Sequence, residues 1–294
     1  MNVTFYLDWV ICAQFAGVCW AERFGLYEAT GANVVVVPWQ DDGRSVIEKV
    51  HAGGVCLGSS EDNLVMSAIA GGSRLQVVGA MFREPPLVLM TRRGSGIRRI
   101  GDLRGRRVAM HYDGIRIMEM VLALEGIPRD DVAIDEVAFD LSHLDRYDAV
   151  QGYAMTEPID LAAHGVDVEL IPVQHPEIKP YAQVMFTTTA ALGRHGALLR
   201  RVVEATDRGW AAAVADPDTA AQVVVDRMGR SDVVAAQRRM MDALHDLVHG
   251  ASNGAGSAPA GQLDLDQWRK NLVTYHRFGV ISRPLTLEEV VSLP

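Results

Sequence analysis

The chain has 294 residues, with 28 Lys and Arg against 37 Asp and Glu, for a formal net charge of −9. That length suits one large domain or two lobes with sizeable cores, and an acidic balance spread along the chain argues against a nucleic-acid partner, which needs a clustered basic surface. Three cysteines, Cys12, Cys19 and Cys56, without CxxC or Cys/His spacing give neither a disulfide framework nor a metal site and suit a reducing compartment, while no apolar run approaches the ~20 residues of a membrane helix.

Val3, Phe5 and Leu7 alternate with polar neighbours, so the chain opens on a strand. Because Met1 leads directly into it, without a basic and apolar leader, the chain as written is expected in the cytoplasm, or in the periplasm or outside the cell if a leader has been removed. From Ala13, Phe15, Val18, Cys19 and Leu26 recur at helical spacing up to the break at Gly25. A strand feeding a helix places Asp8, Trp9, Cys12 and Gln14 at the strand's carboxyl end beside unpaired helix amides, where open α/β sheets bind ligands.

Asn33–Val37 reads as a buried parallel strand and Arg44–Ala52 as a short helix. A third strand, Val55–Leu57, ends at Gly58-Ser59-Ser60-Glu61-Asp62, before a helix with Leu64, Met66 and Ile69 and a fourth strand, Leu75–Met81. Short connections in this βαβαβαβ order predict a mostly parallel sheet covered on both faces. Glu84-Pro85-Pro86 mark a crossing into a second α/β unit. Its expected strands are Leu87–Met90, Arg107–Met110, Val132–Val137, Ala149–Gly152, Val168–Ile171 and Gln183–Thr187, the last returning the chain to the first lobe. Arg107–Met110 ends at His111-Tyr112-Asp113-Gly114, ahead of a helix Ile115–Leu124, and Glu157-Pro158 opens another helix. The basic run Arg98–Arg107 reads as surface charge. Helices follow at Leu198–Ala215, Pro217–Met228 capped by Asp216, Asp232–Val248 and Leu265–Phe278, with a loop at Ala251–Gly261. His245 and His249 lie four apart in HDLVH, but the Glu of a zinc-protease helix is missing, so they read as a solvated helix end. The segments Gly54–Gly58 and Tyr147–Gly152 echo one another as short strands before polar helix starts, as two similar lobes would produce. The resulting division is residues 1–83 for the first part of lobe 1, 84–187 for lobe 2, and 188–294 for the return and a helical C-terminal third.

The run LDWVICAQFAGVCWAERFGLYEATGANVVVV, followed by Gly54–Gly72, by PLVLM, SGI and DLRGRRVAMHYDG, by DAVQGYAMTEP and by YAQVMFTTTAAL, resembles the NMT1/THI5-like group of periplasmic-binding-protein folds from about Val3 to Ala215. The resemblance implies an α/β fold of two lobes that close on a small molecule, as in substrate-binding proteins for thiamine pyrimidines that serve ABC importers. The chain departs from it at Ile11 and Cys12, where a Pro-Asn pair is usual, at Phe15 for His and at Cys56 for Asp. Ser60 and Leu64 stand where the pyrimidine-synthesising members carry a Lys and a His, and Tyr181–Thr189 lacks their cysteines, so a pyridoxal-consuming synthase is rejected and no cofactor is identified. Cys12, its distance from Gly25, and Ile115-Arg116-Ile117 also resemble sulfinate desulfinases of the same fold.

Two functions follow as expectations. In the first, a binding protein holds a compact polar, aromatic or heterocyclic ligand between Trp9, Phe15, Trp39, Tyr112, Tyr153 and Tyr181 as aromatic walls. Asp8, Glu61, Asp62, Asp113 and Glu157 are its acceptors, and Ser59 and Ser60, with helix amides, suit an anionic group; Cys12, Gln14 and Gly114 complete the lining. In the second, a cytoplasmic enzyme uses Cys12, activated at a helix N-terminus, with His111 as acid/base. For Cys12 a neutral lining residue, and for His111 a polar wall, are the simpler roles. Cys19 and Cys56 read as core.

Overall fold

The computed structural model describes residues 1–249 and 263–292. The loop expected at Ala251–Gly261 and the side chain of His249 lie outside what it describes. The chain forms two compact units, Met1–Glu84 with Tyr181–Pro294, and Pro85–Pro180.

In the first unit, β1 (Asn2–Tyr6) pairs in parallel with β2 (Asn33–Val37) and with β3 (Cys56–Ser60). Between them lie a 3-10 turn, Ala13–Phe15, running into α1 (Ala16–Arg23), a second such turn, Glu28–Thr30, and α2 (Val46–His51). α2 opens on a capping box in which the Ser45 hydroxyl accepts from the Glu48 amide and the Glu48 carboxylate accepts from the Ser45 amide. α3 (Asp62–Ala70) and β4 (Leu75–Ala80) follow.

The second unit begins with β5 (Leu87–Arg92) and continues through β6 (Arg107–Met110), α4 (Tyr112–Leu124), β7 (Ala133–Glu136), β8 (Ala149–Tyr153), α5 (Glu157–Ala163) and β9 (Val168–Pro172). Val88, Met90, Ala109, Leu144, Val150 and Leu161 form a core within it. The chain then re-enters the first unit, where β10 (Val184–Thr188) inserts antiparallel between β3 and β4. The helices α6 (Thr189–Ala215), α7 (Pro217–Met228), α8 (Val234–His249), α9 (Leu265–Arg277) and α10 (Leu287–Val290) complete it. Among the described residues no helix is long and apolar enough to cross a membrane.

Both sheets are mixed, with orders β2-β1-β3-β10-β4 and β7-β6-β8-β5-β9. Each carries one reversed strand in the same place, β10 in the first and β5 in the second, while the other strands run together. The echo between Gly54–Gly58 and Tyr147–Gly152 has its cause here, since β3 and β8 hold equivalent central positions.

Several local expectations change. β2 is an edge strand, with Val35 45% exposed, because nothing pairs beyond it among the described residues; its unbroken valine run suggested a buried one. β3 extends through Ser59 and Ser60, past Leu57 where the sequence ended it in favour of a polar helix start. Gly-Ser-Ser has poor strand propensity, but every residue of β3 is buried, Gly58 pairs with both β1 and β10, and Ser59 and Ser60 continue the ladder with β10 alone. The strand Arg107–Met110 is found with the expected bounds, but the helix after it starts three residues earlier than Ile115: His111 is the N-cap of α4 and Tyr112, Asp113 and Gly114 form its first turn. α6 starts at Thr189, where the Thr188 hydroxyl accepts from the Ala191 amide, and bends at His195, so its first turns lie outside the amphipathic stretch that marked it in the sequence.

Candidate functional site

In the first unit the parallel strands end on one edge of the sheet, and the reversed β10 begins there. Val184 pairs with Ser60 on one side and Ala80 on the other. That edge gathers residues far apart in the chain. Asp8 follows β1, and its backbone N–H donates to the Ser59 hydroxyl at 3.2 Å, while the same hydroxyl donates to Asp8 Oδ1 at 2.8 Å. Asp8 Oδ2 accepts from Gln183 Nε2 at 2.9 Å. Next to Asp8, Trp9 stacks on Trp39 with ring centroids 6.0 Å apart and 29° between planes, and the Trp39 amide donates to the Trp9 carbonyl at 3.0 Å. Trp39 is 40% exposed. A ring pair flanked by a carboxylate is able to stack a flat ligand and accept from its polar rim.

Other expected members sit differently. Cys12 is the N-cap of the turn Ala13–Phe15, as its position suggested. The amide of Ala13, however, donates to Gln237 Oε1 at 2.7 Å and that of Phe15 to the Cys12 carbonyl at 2.9 Å. Two of the amides expected to be unpaired around the thiol are therefore taken. Gln14 and Phe15 are buried in that turn, which packs against α7 and α8, so Phe15 is not part of an open wall. Tyr181 is also enclosed, against Trp268 at 5.4 Å, with its hydroxyl accepting from the Asp264 amide at 3.4 Å. Ser60 is buried within β3 and Glu61 is the N-cap residue of α3. Cys19 and Cys56 are core thiols, the first pushed up to about 12 by burial and the second raised by the same cause.

Asp62, in the first turn of α3, is fully buried. Oδ2 accepts from the Tyr181 amide at 2.9 Å and Oδ1 from the Tyr275 hydroxyl at 2.8 Å, while the Asp62 amide donates to the Tyr181 carbonyl at 3.0 Å. Burial raises its pKa to about 7 against these hydrogen bonds, which favour the charged form. Its neighbours make Asp62 a tie between α3, α9 and the start of the returning segment.

In the second unit, the corresponding edge carries His111, Asp113 and Gln151. Gln151 Oε1 accepts from the His111 amide at 3.0 Å and Nε2 donates to Asp113 Oδ1 at 3.2 Å. Gly114 lets the Gln151 amide lie against the first turn of α4, since a Cβ there would sit 2.3 Å from Gln151 Oε1 and displace it. Burial lowers the His111 pKa, His143 lowers it further, and Asp113 acts against both. Tyr112 is 64% exposed. Tyr153 closes β8, and its amide donates at 2.6 Å to Glu157 Oε2, which also accepts from the Thr156 hydroxyl. Burial raises the Glu157 pKa, with those two donors opposing it. Cys12 and His111 belong to different units.

Gln151 and Gln183 were missed in the sequence. Both join their sites through partners distant in the chain, and an isolated Gln carries no spacing signal.

Two mixed five-stranded sheets of identical order, each with polar and aromatic residues at its carboxyl edge, define a periplasmic-binding-protein-like fold. Residues 12–220 match the family described as NMT1/THI5 like, and the chain belongs to that family. It is 21% identical over 300 residues to the riboflavin-binding protein RibY of Chloroflexus aurantiacus, covering 99% of this chain and 85% of the relative. Among solved structures it is similar to the periplasmic aliphatic sulphonate binding protein SsuA of Escherichia coli, at 15% identity, TM-score 0.73 and 99% and 96% coverage of the two chains. It is also similar to the desulfurization enzyme DSZB, at 16% identity, TM-score 0.63 and 99% and 96% coverage.

Proposed function

We propose that this protein is a small-molecule-binding protein of the importer-associated type, and that its ligand is a flat aromatic or heterocyclic compound stacked at the Trp9–Trp39 pair. The observation that carries the reading is the ring pair beside the Asp8–Ser59–Gln183 hydrogen-bond network at the carboxyl edge of the first sheet. A carboxylate held by neutral hydroxyl and amide donors, with no cation beside it in that network, suits donor groups on a ligand better than an anion. RibY is named for riboflavin and SsuA for sulphonates, so the two ligand types bracket the choice. The ring pair and the carboxylate favour the flavin- or pyrimidine-like type. Delivery to an ABC importer, an exported location and a link to thiamine precursors are proposals resting on the family likeness.

The enzymatic reading draws on the DSZB fold likeness and on Cys12. The pairing of the Ala13 and Phe15 amides takes up two of the donors that would have stabilised a thiolate there. Binding without chemistry is the better-supported reading.

Thermal-shift and calorimetric titration with riboflavin, thiamine pyrimidines and alkanesulfonates tests this. Riboflavin or a pyrimidine should raise the melting temperature with concentration, and Trp9→Ala should weaken that binding by about tenfold or more, since stacked rings contribute roughly a kcal/mol or more beyond buried area. Binding confined to alkanesulfonates, or unchanged in Trp9→Ala, would overturn it.

A further inference from the structure

Gln183 is the non-glycine residue with positive φ among the described residues, at 57°. A Gln in the left-handed region is strained by of order 1 kcal/mol or more, and such strain persists where surrounding contacts impose it. Here they do. The Gln183 carbonyl accepts from the Met81 amide at 2.9 Å, and the next residue enters β10 between β3 and β4.

The side chain is 1% exposed and its Nε2 donates to Asp8 Oδ2. That contact fixes which way the amide faces, because turning it over would set a carbonyl oxygen against a carboxylate oxygen. Oε1 is consequently committed away from Asp8, and it is buried with no hydrogen-bond partner. A buried amide oxygen left unpaired is costly. A strained backbone and an unpaired acceptor on the same residue, joined to the carboxylate beside the Trp9–Trp39 pair, set Gln183 apart from a packing residue.

Building on the function proposed above, we propose that Gln183 is a specificity-determining residue, whose Oε1 accepts a hydrogen bond from a ring N–H of the ligand. The class selected is a heterocycle with an imide or lactam N–H, as in a flavin or a pyrimidine-dione. A molecule of the same shape with that nitrogen alkylated would leave Oε1 buried and unpaired, and polar discrimination of this kind is steeper than discrimination by size.

The test is calorimetric titration of the full-length protein with two matched pairs: riboflavin against 3-methylriboflavin, and thymine against 1,3-dimethylthymine. Wild type should bind the N–H member at least about tenfold more tightly in at least one pair. In Gln183→Met that preference should shrink to within about threefold, through weaker binding of the N–H member, which separates a lost hydrogen bond from a steric effect of the methyl group. Gln183→Asn is the second variant. Asn tolerates positive φ while its shorter side chain withdraws the amide, so it should fold and show the same loss of preference. Equal binding of both members of each pair, or a preference that survives in the folded variants, would overturn the proposal while leaving the ring-stacking reading intact. Binding of alkanesulfonates alone, or of none of these compounds, would overturn both.

Discussion

Two carboxylates, Asp62 wholly buried and Asp207 half-buried, show how differently the same residue type is held. Asp62 has both oxygens paired, to the Tyr181 amide and the Tyr275 hydroxyl, and burial raises its pKa to about 7. Asp207 has an Oδ1 buried without a partner, and burial, with Glu204 nearby, raises it to about 8. An acid whose folded value lies above its ordinary value stabilises the fold fully below the ordinary value and loses that contribution as pH rises through the folded one. Stability from Asp62 should therefore fall between about pH 4 and 7, and from Asp207 up to about pH 8. Asp62→Asn should melt below wild type at pH 5, where it disturbs a paired acid, and the gap should narrow at pH 8. Asp207→Asn should be near neutral at pH 5 and more stable than wild type at pH 9, as it removes a charge without breaking a hydrogen bond. Melting curves across pH check both, and parallel curves for wild type and variants would contradict them. At this scale the sequence was readable where a residue's neighbours decide its place: LDW at a strand end put Asp8 and Trp9 on the sheet edge. It was silent where the decision is made far away, as for Gln183 beside Asp8 or for the Ala13 amide taken by Gln237.

Between elements, the tightest fit is that of α1 on α6. A Cβ on Gly17 would lie 2.2 Å from the Trp210 ring, and one on Gly209 would lie 2.1 Å from the Gly17 carbonyl oxygen. Trp210 is fully buried and meets Phe82 edge-on at 5.6 Å. The clash at Gly209 is with backbone, which has no rotamer to escape into, so Gly209→Ala should cost about 3 kcal/mol or more. Gly193, in the same helix with nothing within 4 Å of its would-be Cβ, is the control. Gly193→Ala should be neutral or stabilising by up to about 1 kcal/mol. Urea unfolding of both variants measures the contrast, and similar midpoints would refute the packing argument. Neither Gly17 nor Gly209 stands out in the sequence, where each falls inside a helical pattern. Periodicity reports which face of a helix is apolar; it carries no information about how closely the facing backbone approaches. The same blindness explains β3, whose last residues, Ser59 and Ser60, are strand because β10, returning from far along the chain, pairs with them.

For the whole molecule, connectivity makes a sharper demand than either sheet alone. The second sheet is built from one continuous segment, with β5 through β9 and the core of Val88, Met90, Ala109, Leu144, Val150 and Leu161 all inside Pro85–Pro180. The first is split: β10 returns from beyond that segment to lie between β3 and β4, so β4 joins the sheet only through it. The Pro-rich crossing at Glu84-Pro85-Pro86 suggested a departure and the late strand a return, but that strand, grouped in the sequence with those of the second unit, lies in the first sheet. That the returning strand runs antiparallel into the sheet interior was not foreseeable, because apolar runs do not encode direction. The asymmetry has a direct consequence. Residues 85–180 expressed alone should fold to a cooperative α/β domain, with a single urea transition, because nothing in their sheet depends on the rest of the chain. Residues 1–180 should fold only in that part, since the N-terminal strands then lack β10 and the helices α6 and α7 that cover α1. Circular dichroism and proteolysis decide the matter. A protected 1–84 region in the longer fragment, or a non-cooperative 85–180, would show that the two sheets are not built in the way their connections require.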